Sequence, residues 1–416
     1  MTTTKAVSRG MKQDAHQAGP LAGIRVIELG SFIAAPSATR ILAEFGADVI
    51  KIERPDGGDE LRSWRLHDAG TSLLFRWIAR NKRSVTIDLH TPQGQALARQ
   101  LIDSADVLIE NFRPGTLERW NLGPEVLRAS NPGLVVVRIS GFGQTGPYRE
   151  HAGFGGVAEA MAGLRHLTGN PGEAPVRVGI SLGDQVAGLH GVIGALMGLL
   201  QRRSGDGTGD VVDVALHEAM FSMMESLVPD FDAYGIKAQP SGPSIPGVAP
   251  SGTYRCANDK FVVIGGNGDR IFHRLMMVIE RPDLRDDTGL AGNAGRVARS
   301  DELGAAIGAW TADQQVADVV GSLSAHGVPC GTIYDVEDIL ADPQFAAREM
   351  YARHKVDIGG QDIRDVYFPG IVPKLERHPG EIRHLGPELG ADTDEVLGSL
   401  GIGVNEIAGL REQGVV

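Results

Sequence analysis

The chain has very few cysteines. Only Cys256 and Cys330 occur among its 416 residues. Two cysteines so far apart give neither the ligand spacing of a zinc site nor the framework of a disulfide-stabilised domain. The sequence therefore predicts no metal site. It fits a reducing compartment, so we expect a cytoplasmic protein.

Long apolar runs are also missing. The longest candidate, residues 188–200, is shorter than the roughly 18–20 residues of a membrane-spanning helix and is followed by Gln201-Arg202-Arg203. We interpret it as a buried helix and expect no membrane partner. Residues 1–20 are polar and lack the apolar core of a secretory signal, which predicts a disordered leader.

The chain also lacks an excess of positive charge. The formal net charge is -12 at pH 7, so the chain lacks the basic balance with which general nucleic-acid-binding proteins release counterions. We therefore expect no nucleic-acid partner. An anionic ligand would have to be held by a local group of cations or by helix N-termini.

Strand-like and helix-like segments alternate in the first half of the chain. The strand-like segments are 23–29, 48–53, 84–89, 106–112 and 133–140, and helical patterns lie between them. Alternation at these lengths predicts a parallel sheet with helices on both faces, which is a Rossmann-like α/β domain. Ligands of such sheets bind beyond the carboxyl ends of the strands.

The pattern changes in the middle of the chain. Residues 238–252 are dense in proline, serine and glycine, and two alternating strands about an Asn-Asp turn and several helices follow. This composition predicts a smaller α+β domain. We place the first part of the large domain at 21–220, a linker and the small domain at 221–325, and the return to the large domain at 326–416.

The segment "ISGFGQTGPY" at 139–148 contains the glycine spacing of a dinucleotide-binding turn. Such a turn needs a helix that begins within it and an acidic residue about 20 positions further on. Helical periodicity resumes only near Gly155, and the acidic residue is missing. The segment therefore argues against a dehydrogenase and predicts a tight turn at the sheet's carboxyl edge.

Asp184 lies at the start of a segment, 178–203, that is apolar or small nearly all round. This pattern predicts a buried helix. Asp184 could cap the helix by accepting backbone N–H groups. The helix N-terminus could also keep the carboxylate ionised for use as a nucleophile. The two roles are compatible, and the local sequence leaves both open.

Seven segments, in this order along the chain, resemble the class III CoA-transferases, a family that also includes the 2-methylacyl-CoA racemases. The resemblance runs from about residue 20 to the C-terminus. The segments are "PLAGIRVIELG", "LAEFGADVIKIERPDGGDELR", "ARNKRSVTIDL", "ADVLIENFRPGTLERWNLG", "ISGFGQTGPY", "GISLGDQVAGLHGVIGAL" and "HGVPCGTIYDVEDILADPQF".

The resemblance implies a CoA-transferase that moves CoA from an acyl-CoA to a free carboxylic acid, with Asp184 as the covalent nucleophile. It implies aspartyl anhydride and aspartyl-CoA intermediates, no permanently bound cofactor and an interlocked homodimer. Overall likeness to the succinyl-CoA:glutarate enzyme makes succinyl-CoA and a dicarboxylate the expected substrates.

The resemblance also implies contacts with CoA, which joins phosphates to an adenine. The matching positions are Ser31, Phe32, Ile33, Ala34, Arg54, Lys82, Asn111, Phe112 and Arg119. Arginine suits phosphate oxygens, although a solvated surface role is open for each cation. Gly265 and Gly266, in "GGNGD", resemble the family's glycine loop, whose N–H groups would stabilise oxyanions.

Two alternatives accompany this interpretation. Racemases of the family carry a histidine where this chain has Phe154, and phenylalanine cannot carry a proton. A racemase-like enzyme would need another acid or base, and a non-catalytic CoA-binding protein would need none. Many transferases have tyrosine and aspartate where this chain has Phe154 and Gly155. We interpret the nearby His151, His166 and His190 as packing or surface residues.

Overall fold

A computed structural model describes residues 19–66, 71–357 and 363–416, so the expected leader lies almost entirely outside the described residues. The chain forms two compact units. The first comprises the described residues up to Leu164 together with Val178–Glu225 and Glu349–Val416. The second comprises Arg165–Arg177 and Ser226–Arg348.

Six parallel strands form the sheet of the first unit. They are β1 (Arg25–Glu28), β2 (Asp48–Glu53), β3 (Lys82–Thr86), β4 (Val107–Glu110), β5 (Val135–Ser140) and β6 (Val211–Ala215). Their order is β3-β2-β1-β4-β5-β6, and each neighbouring pair is parallel. The predicted Rossmann-like sheet is confirmed. Its strand order reverses between β1 and β4, where doubly wound sheets bind ligands.

Helices follow the strands of this sheet. Those of the first part of the chain are α1 (Ala34–Glu44), α2 (Leu73–Ile78), α3 (Pro92–Asp103), α4 (Thr116–Arg119), α5 (Pro124–Ser130), α6 (Gly155–Met161), α7 (Leu164–Leu167), α8 (Leu182–Ser204) and α9 (Leu216–Phe221). Of these, α7 is the exception, because most of it belongs to the second unit. Successive strand residues face opposite sides. Val26 therefore packs with residues of α1 and α8, whereas Ile27 packs in a second cluster with residues of α3.

An antiparallel sheet forms the centre of the second unit. Its strands are β7 (Ser251–Arg255), β8 (Phe261–Gly265) and β9 (Cys330–Thr332), in that order. The helices of this part of the chain are α10 (Leu227–Tyr234), α11 (Asp269–Val278), α12 (Pro282–Arg285), α13 (Asn293–Ala298), α14 (Ser300–Ala312), α15 (Val316–Ala325), α16 (Val336–Ala341) and α17 (Pro343–Ala347). The predicted small α+β domain is thus present.

The second unit extends further along the chain than the predicted boundary at residue 325. Strand β9 pairs antiparallel with β8, with Cys330 opposite Ile264, so residues that follow it stay with this unit up to Arg348. The predicted return to the large domain at residue 326 is therefore wrong. The return starts at Glu349 with the hairpin β10 (Tyr351–Asp357) and β11 (Ile363–Pro369), and ends with α18 (Thr393–Ser399) and α19 (Val404–Glu412).

Helix α8 has one buried face and one exposed face, which corrects the prediction of a helix buried all round. Ala187 and Ala195 are fully buried. The exposed face carries large apolar side chains, with relative exposures of 48–65%, at Leu189, Ile193, Met197 and Leu200. Within the described residues, no helix is both long enough and apolar enough to span a bilayer.

A buried ion cluster joins the first three strands. The Glu28 carboxylate accepts hydrogen bonds from the ammonium groups of Lys51 (2.7 Å) and Lys82 (2.8 Å). All three side chains are at most 3% exposed. Burial alone would raise the pKa of Glu28, but the two ammonium groups outweigh that effect and lower this pKa to about 2. The charged pair of lysines therefore keeps Glu28 ionised.

The low pKa of Glu28 predicts an acid-sensitive contribution to stability. A carboxyl whose pKa is lower in the folded state stabilises the fold above its unfolded-state pKa and loses that effect as the pH falls to its folded-state pKa. For Glu28 this window runs from pH 4.5 to about 2, and the loss is on the order of 3 kcal/mol. Urea unfolding across this window should show a shallower pH dependence for Glu28→Gln than for the wild type.

The control for this prediction is Glu60→Gln, because Glu60 is 46% exposed and forms a surface pair with Arg54. It should retain the wild-type pH dependence. Equal slopes in Glu28→Gln and the wild type would contradict the assignment to Glu28.

Candidate active site

A cleft lies at the carboxyl ends of β1, β4 and β5, where the strand order reverses. Six segments contribute to it: the turn after β1, Trp64 after β2, the segment after β4, the end of β5 with the loop that follows it, the start of α8, and Leu216 at the start of α9. Several predicted site residues line it together, namely Phe32, Ile33, Ala34, Asn111, Phe112 and Asp184. The cleft lies wholly within the first unit.

Asn111 ties the ends of β1 and β4 together. Its side-chain oxygen accepts the Ser31 N–H (2.9 Å), and its side-chain nitrogen donates to the Ser31 carbonyl (2.8 Å). A Cβ on Gly30 would lie 2.9 Å from the Asn111 side-chain oxygen, so glycine is needed at this turn. The predicted residues Ser31 and Asn111 thus hold the wall of the cleft in place.

Phe32 projects into the cleft from a constrained backbone. Its φ is +62°, a left-handed conformation that is uncommon for a bulky residue. Its N–H donates to Oδ1 of Asp59 (3.1 Å), and Oδ2 of Asp59 pairs with Lys51 (2.7 Å). Lys51 also donates to the Gly30 carbonyl (2.7 Å). The buried ion cluster therefore supports the turn that carries Phe32.

The segment after β4 is fixed by a buried carboxylate. Oε2 of Glu110 accepts the N–H of Phe112 (2.7 Å), and Oε1 accepts a hydrogen bond from Arg138 (2.8 Å). The Phe112 ring packs edge-on against Trp120 at 5.1 Å between centroids. The next residue, Arg113, is exposed and lines the cleft. It supplies a cation that the sequence analysis did not assign.

Gly141, in "ISGFGQTGPY", closes a loop by meeting Gly153, which lies beyond that segment. A Cβ on Gly141 would lie 2.5 Å from Cα of Gly153, so the two ends of the loop meet through paired glycines. This contact brings His151 to the cleft, where its ring stacks on Tyr148 at 4.9 Å between centroids. His151, interpreted from the sequence as a packing or surface residue, is indeed exposed, and it also lines the cleft.

Asp184 lies in the first turn of α8, two residues after its first residue. The residue before the helix is Ser181, so the interpretation of Asp184 as the N-cap itself is wrong. The carboxylate is half-buried and lines the cleft. Because α8 is 23 residues long, its N-terminal dipole favours a negative charge at this position.

Lys82 lies away from the cleft. Its side chain is fully buried, and its ammonium group donates to Glu28 and to the Pro36 carbonyl, each at 2.8 Å. Burial lowers its pKa to about 8, although the Glu28 carboxylate acts in the opposite direction. The predicted contact between Lys82 and CoA is therefore wrong, because the ammonium group belongs to the ion cluster of the sheet.

The other two predicted cations are on the surface. Arg54 is 53% exposed and pairs with Glu60 at 3.2 Å. Arg119 donates to the Thr116 hydroxyl at 2.9 Å. Neither belongs to the residues that line the cleft, and their contacts with CoA stay predictions.

Gly265 and Gly266 belong to the second unit. The N–H of Gly265 donates to the Pro329 carbonyl (2.9 Å), and that of Gly266 donates to the Pro250 carbonyl (2.8 Å). Both N–H groups continue the hydrogen bonding of β8, which contradicts their predicted role as oxyanion donors. In residues 19–66, 71–357 and 363–416, no group of three or more histidine, cysteine or acidic side chains could hold a metal ion.

The chain is similar to known proteins in sequence and in fold. Residues 21–393 match the model of CoA-transferase family III. The chain is 42% identical to a succinyl-CoA–D-citramalate CoA-transferase of Chloroflexus aurantiacus, over 95% of this chain and 98% of that protein. It is 33% identical to a succinate–glutarate CoA-transferase of Agrobacterium fabrum, over 92% of this chain and 96% of that protein. A CAIB/BAIF family protein from Brucella suis has a TM-score of 0.80 at 32% identity, covering 92% of this chain and 100% of the other.

Proposed function

The chain belongs to CoA-transferase family III, and we propose that it transfers CoA from succinyl-CoA to a dicarboxylic acid through covalent intermediates on Asp184. Its activity as a CoA-transferase, with CoA thioesters as substrates, follows from the family and from its relatives. The proposed covalent route through Asp184 is supported by one observation: Asp184 lines the same cleft as Phe32, Asn111 and Phe112.

The proposed reaction begins when a carboxylate oxygen of Asp184 attacks the thioester carbonyl. The C–S bond breaks, CoA leaves as a thiolate, and an aspartyl anhydride forms. The thiolate then attacks the aspartyl carbonyl, which releases succinate and leaves an aspartyl-CoA thioester. The acceptor carboxylate takes the CoA by the same steps in reverse. Covalent catalysis thus divides one difficult exchange into easier steps.

The apolar wall of the cleft suits the chain that links the thioester to the nucleotide of CoA. Phe32, Ile33 and Ala34 form one side after β1, and Phe112 forms another after β4. Phe32 packs edge-on against Trp64 at 5.9 Å between centroids. We propose that the exposed Arg54 and Arg119 bind the phosphates of CoA, since guanidinium groups match phosphate oxygens.

The polar groups of the cleft support a dicarboxylate substrate. Arg113 and His151 line the cleft together with Asp184. A guanidinium group can hold a carboxylate through two parallel hydrogen bonds, so Arg113 could hold the carboxylate that does not react. The relatives named above act, by their names, on succinate, succinyl-CoA, glutarate and D-citramalate, which supports the same substrate class here.

We also propose that the protein is an interlocked homodimer in the cytoplasm. The exposed side chains of Leu189, Ile193, Met197 and Leu200 recur at helical spacing on α8. Scattered exposed apolar residues are ordinary, but a contiguous apolar stripe favours burial against another chain. The stripe therefore supports a partner surface on α8.

The substrate proposal is tested by mixing the enzyme with succinyl-CoA and a panel of mono- and dicarboxylic acids and separating the CoA esters formed. We expect the fastest transfer to dicarboxylic acceptors. Preferred transfer to monocarboxylic acids would contradict the proposed substrate class. Deuterium incorporation at the α-carbon of a 2-methylacyl-CoA without acyl exchange would identify a racemase instead.

A further inference from the structure

Helix α6 packs against the first turn of α8, which carries Asp184. Two of its residues, Gly155 and Glu159, are buried on the side that faces this turn. They are four positions apart and therefore lie on the same face of α6. The backbones approach closely here, because a Cβ on Gly183 would lie 3.0 Å from the Gly155 carbonyl oxygen.

Gly155 provides the space that the Asp184 carboxylate occupies. A Cβ on Gly155 would lie 2.7 Å from Cγ of Asp184 and 3.1 Å from Oδ1, and it would overlap Oδ2. Gly155 has no unusual backbone conformation that would itself demand glycine. The lack of a side chain at Gly155 therefore leaves free the space in which the Asp184 carboxylate lies.

Glu159 holds the backbone next to Asp184. Its side chain is fully buried, and Oε1 accepts the N–H of Gly183 at 3.2 Å. The first N–H groups of a helix lack partners within the helix. Glu159 thus provides a hydrogen-bond acceptor for one of these N–H groups, that of Gly183, the residue directly before Asp184.

We propose that Gly155 and Glu159 are positioning residues for Asp184, Gly155 by leaving room for its carboxylate and Glu159 by fixing the first turn of α8. Together they set the orientation of the nucleophile before the thioester enters the cleft. The inference rests on the proposed role of Asp184 as nucleophile. Its physical basis is that a displacement of about 1 Å at the reacting groups can cost a factor of about 100 in rate.

The test compares Gly155→Ala with Gly179→Ala. Gly179 is exposed and precedes α8, and a Cβ there would meet nothing within 4 Å. We expect Gly155→Ala to lower kcat by roughly 100-fold while the Kd of CoA, measured by calorimetry, changes little. Gly179→Ala should keep the wild-type kcat. A wild-type kcat in Gly155→Ala, or equal losses in both variants, would overturn the inference.

A second pair of variants covers the case in which Gly155→Ala fails to fold. Glu159→Gln keeps an oxygen that can accept the Gly183 N–H, whereas Glu159→Met removes it. We expect kcat to fall in Glu159→Met and to recover in Glu159→Gln. Equal activity in the two would overturn the role of Glu159. Hydroxylamine trapping on the wild-type enzyme tests the proposed function separately. If Asp184 is modified in the wild type, the nucleophile is correct and only the positioning roles are in question. If it stays unmodified, the proposed function itself fails.

Discussion

Asp184→Asn should abolish CoA transfer. An amide has nearly the shape of the carboxylate but cannot attack a thioester, so we expect kcat to fall by a factor of about 10³ or more. The cleft walls formed after β1 and β4 are independent of this side chain. The Kd of CoA should therefore stay close to that of the wild type. Initial transfer rates and calorimetric titration with CoA measure the two effects.

The matched control is Asp103→Asn. Asp103 is an exposed residue at the end of α3 that accepts a hydrogen bond from Ser130, and the change should leave transfer intact. Transfer that survives in Asp184→Asn would exclude the covalent route. If wild-type protein bound CoA but transferred nothing to any acceptor, the protein would be a CoA-binding protein without this activity.

Lys51→Met should cause a large loss of stability. The Lys51 ammonium group, 3% exposed, holds Glu28 and Asp59 at 2.7 Å each and the Gly30 carbonyl at 2.7 Å. Removing one partner from a buried ion pair leaves charge uncompensated and costs about 3–5 kcal/mol. We expect this decrease in the free energy of unfolding, measured by urea titration at pH 7.

The same substitution should also weaken binding of acyl-CoA, because Asp59 and Gly30 hold the turn that carries Phe32. Lys374→Met is the control in the same unit, since Lys374 is 36% exposed and lies 3.9 Å from Glu349. Surface pairs contribute little to stability, so this variant should resemble the wild type. Equal stabilities of the two variants would contradict the role given to the buried cluster.

The core of the sheet could be predicted from the sequence because its strands are apolar and regularly spaced. Five of the six parallel strands match predicted segments. The sixth, β6, was not predicted, since Asp213 interrupts its apolar run and the strand lies at the sheet edge with only two buried residues. The side chain of Asp213 has its own structural use, as it accepts the N–H of Gln144 at 2.9 Å.

The boundary of the second unit was mispredicted because the antiparallel pairing of β9 could not be seen in the sequence. The segment at 328–336 has the strand–helix pattern of the large domain, but its strand β9 joins β8. Strand pairing depends on contacts between residues distant in the chain, which a local pattern does not contain. For the same reason, the sequence did not reveal that the N–H groups of Gly265 and Gly266 donate to backbone carbonyls of distant residues.

Within the site, the resemblance predicted several residues that directly follow a strand of the sheet. Phe32, Ile33 and Ala34 follow one strand, and Asn111 and Phe112 follow another. Lys82 was misassigned because its partner Glu28 lies 54 residues away, on a strand two positions across the sheet.

Two residues that line the cleft, Arg113 and His151, were not assigned to the site from the sequence, for different reasons. Arg113 follows Asn111 and Phe112 directly, so its position in the segment was a usable signal. His151 carried no such signal. It lies in a loop whose ends meet at Gly141 and Gly153, and this long-range contact is not visible in the local sequence.

The most direct test of the account is to locate the covalent intermediate. Wild-type enzyme would be incubated with succinyl-CoA in the absence of acceptor, treated with hydroxylamine, digested and analysed by peptide mass spectrometry. The account predicts an aspartyl hydroxamate at Asp184, formed only when the thioester is present. An enzyme that transfers CoA while Asp184 stays unmodified, or that is modified at another residue instead, would contradict it.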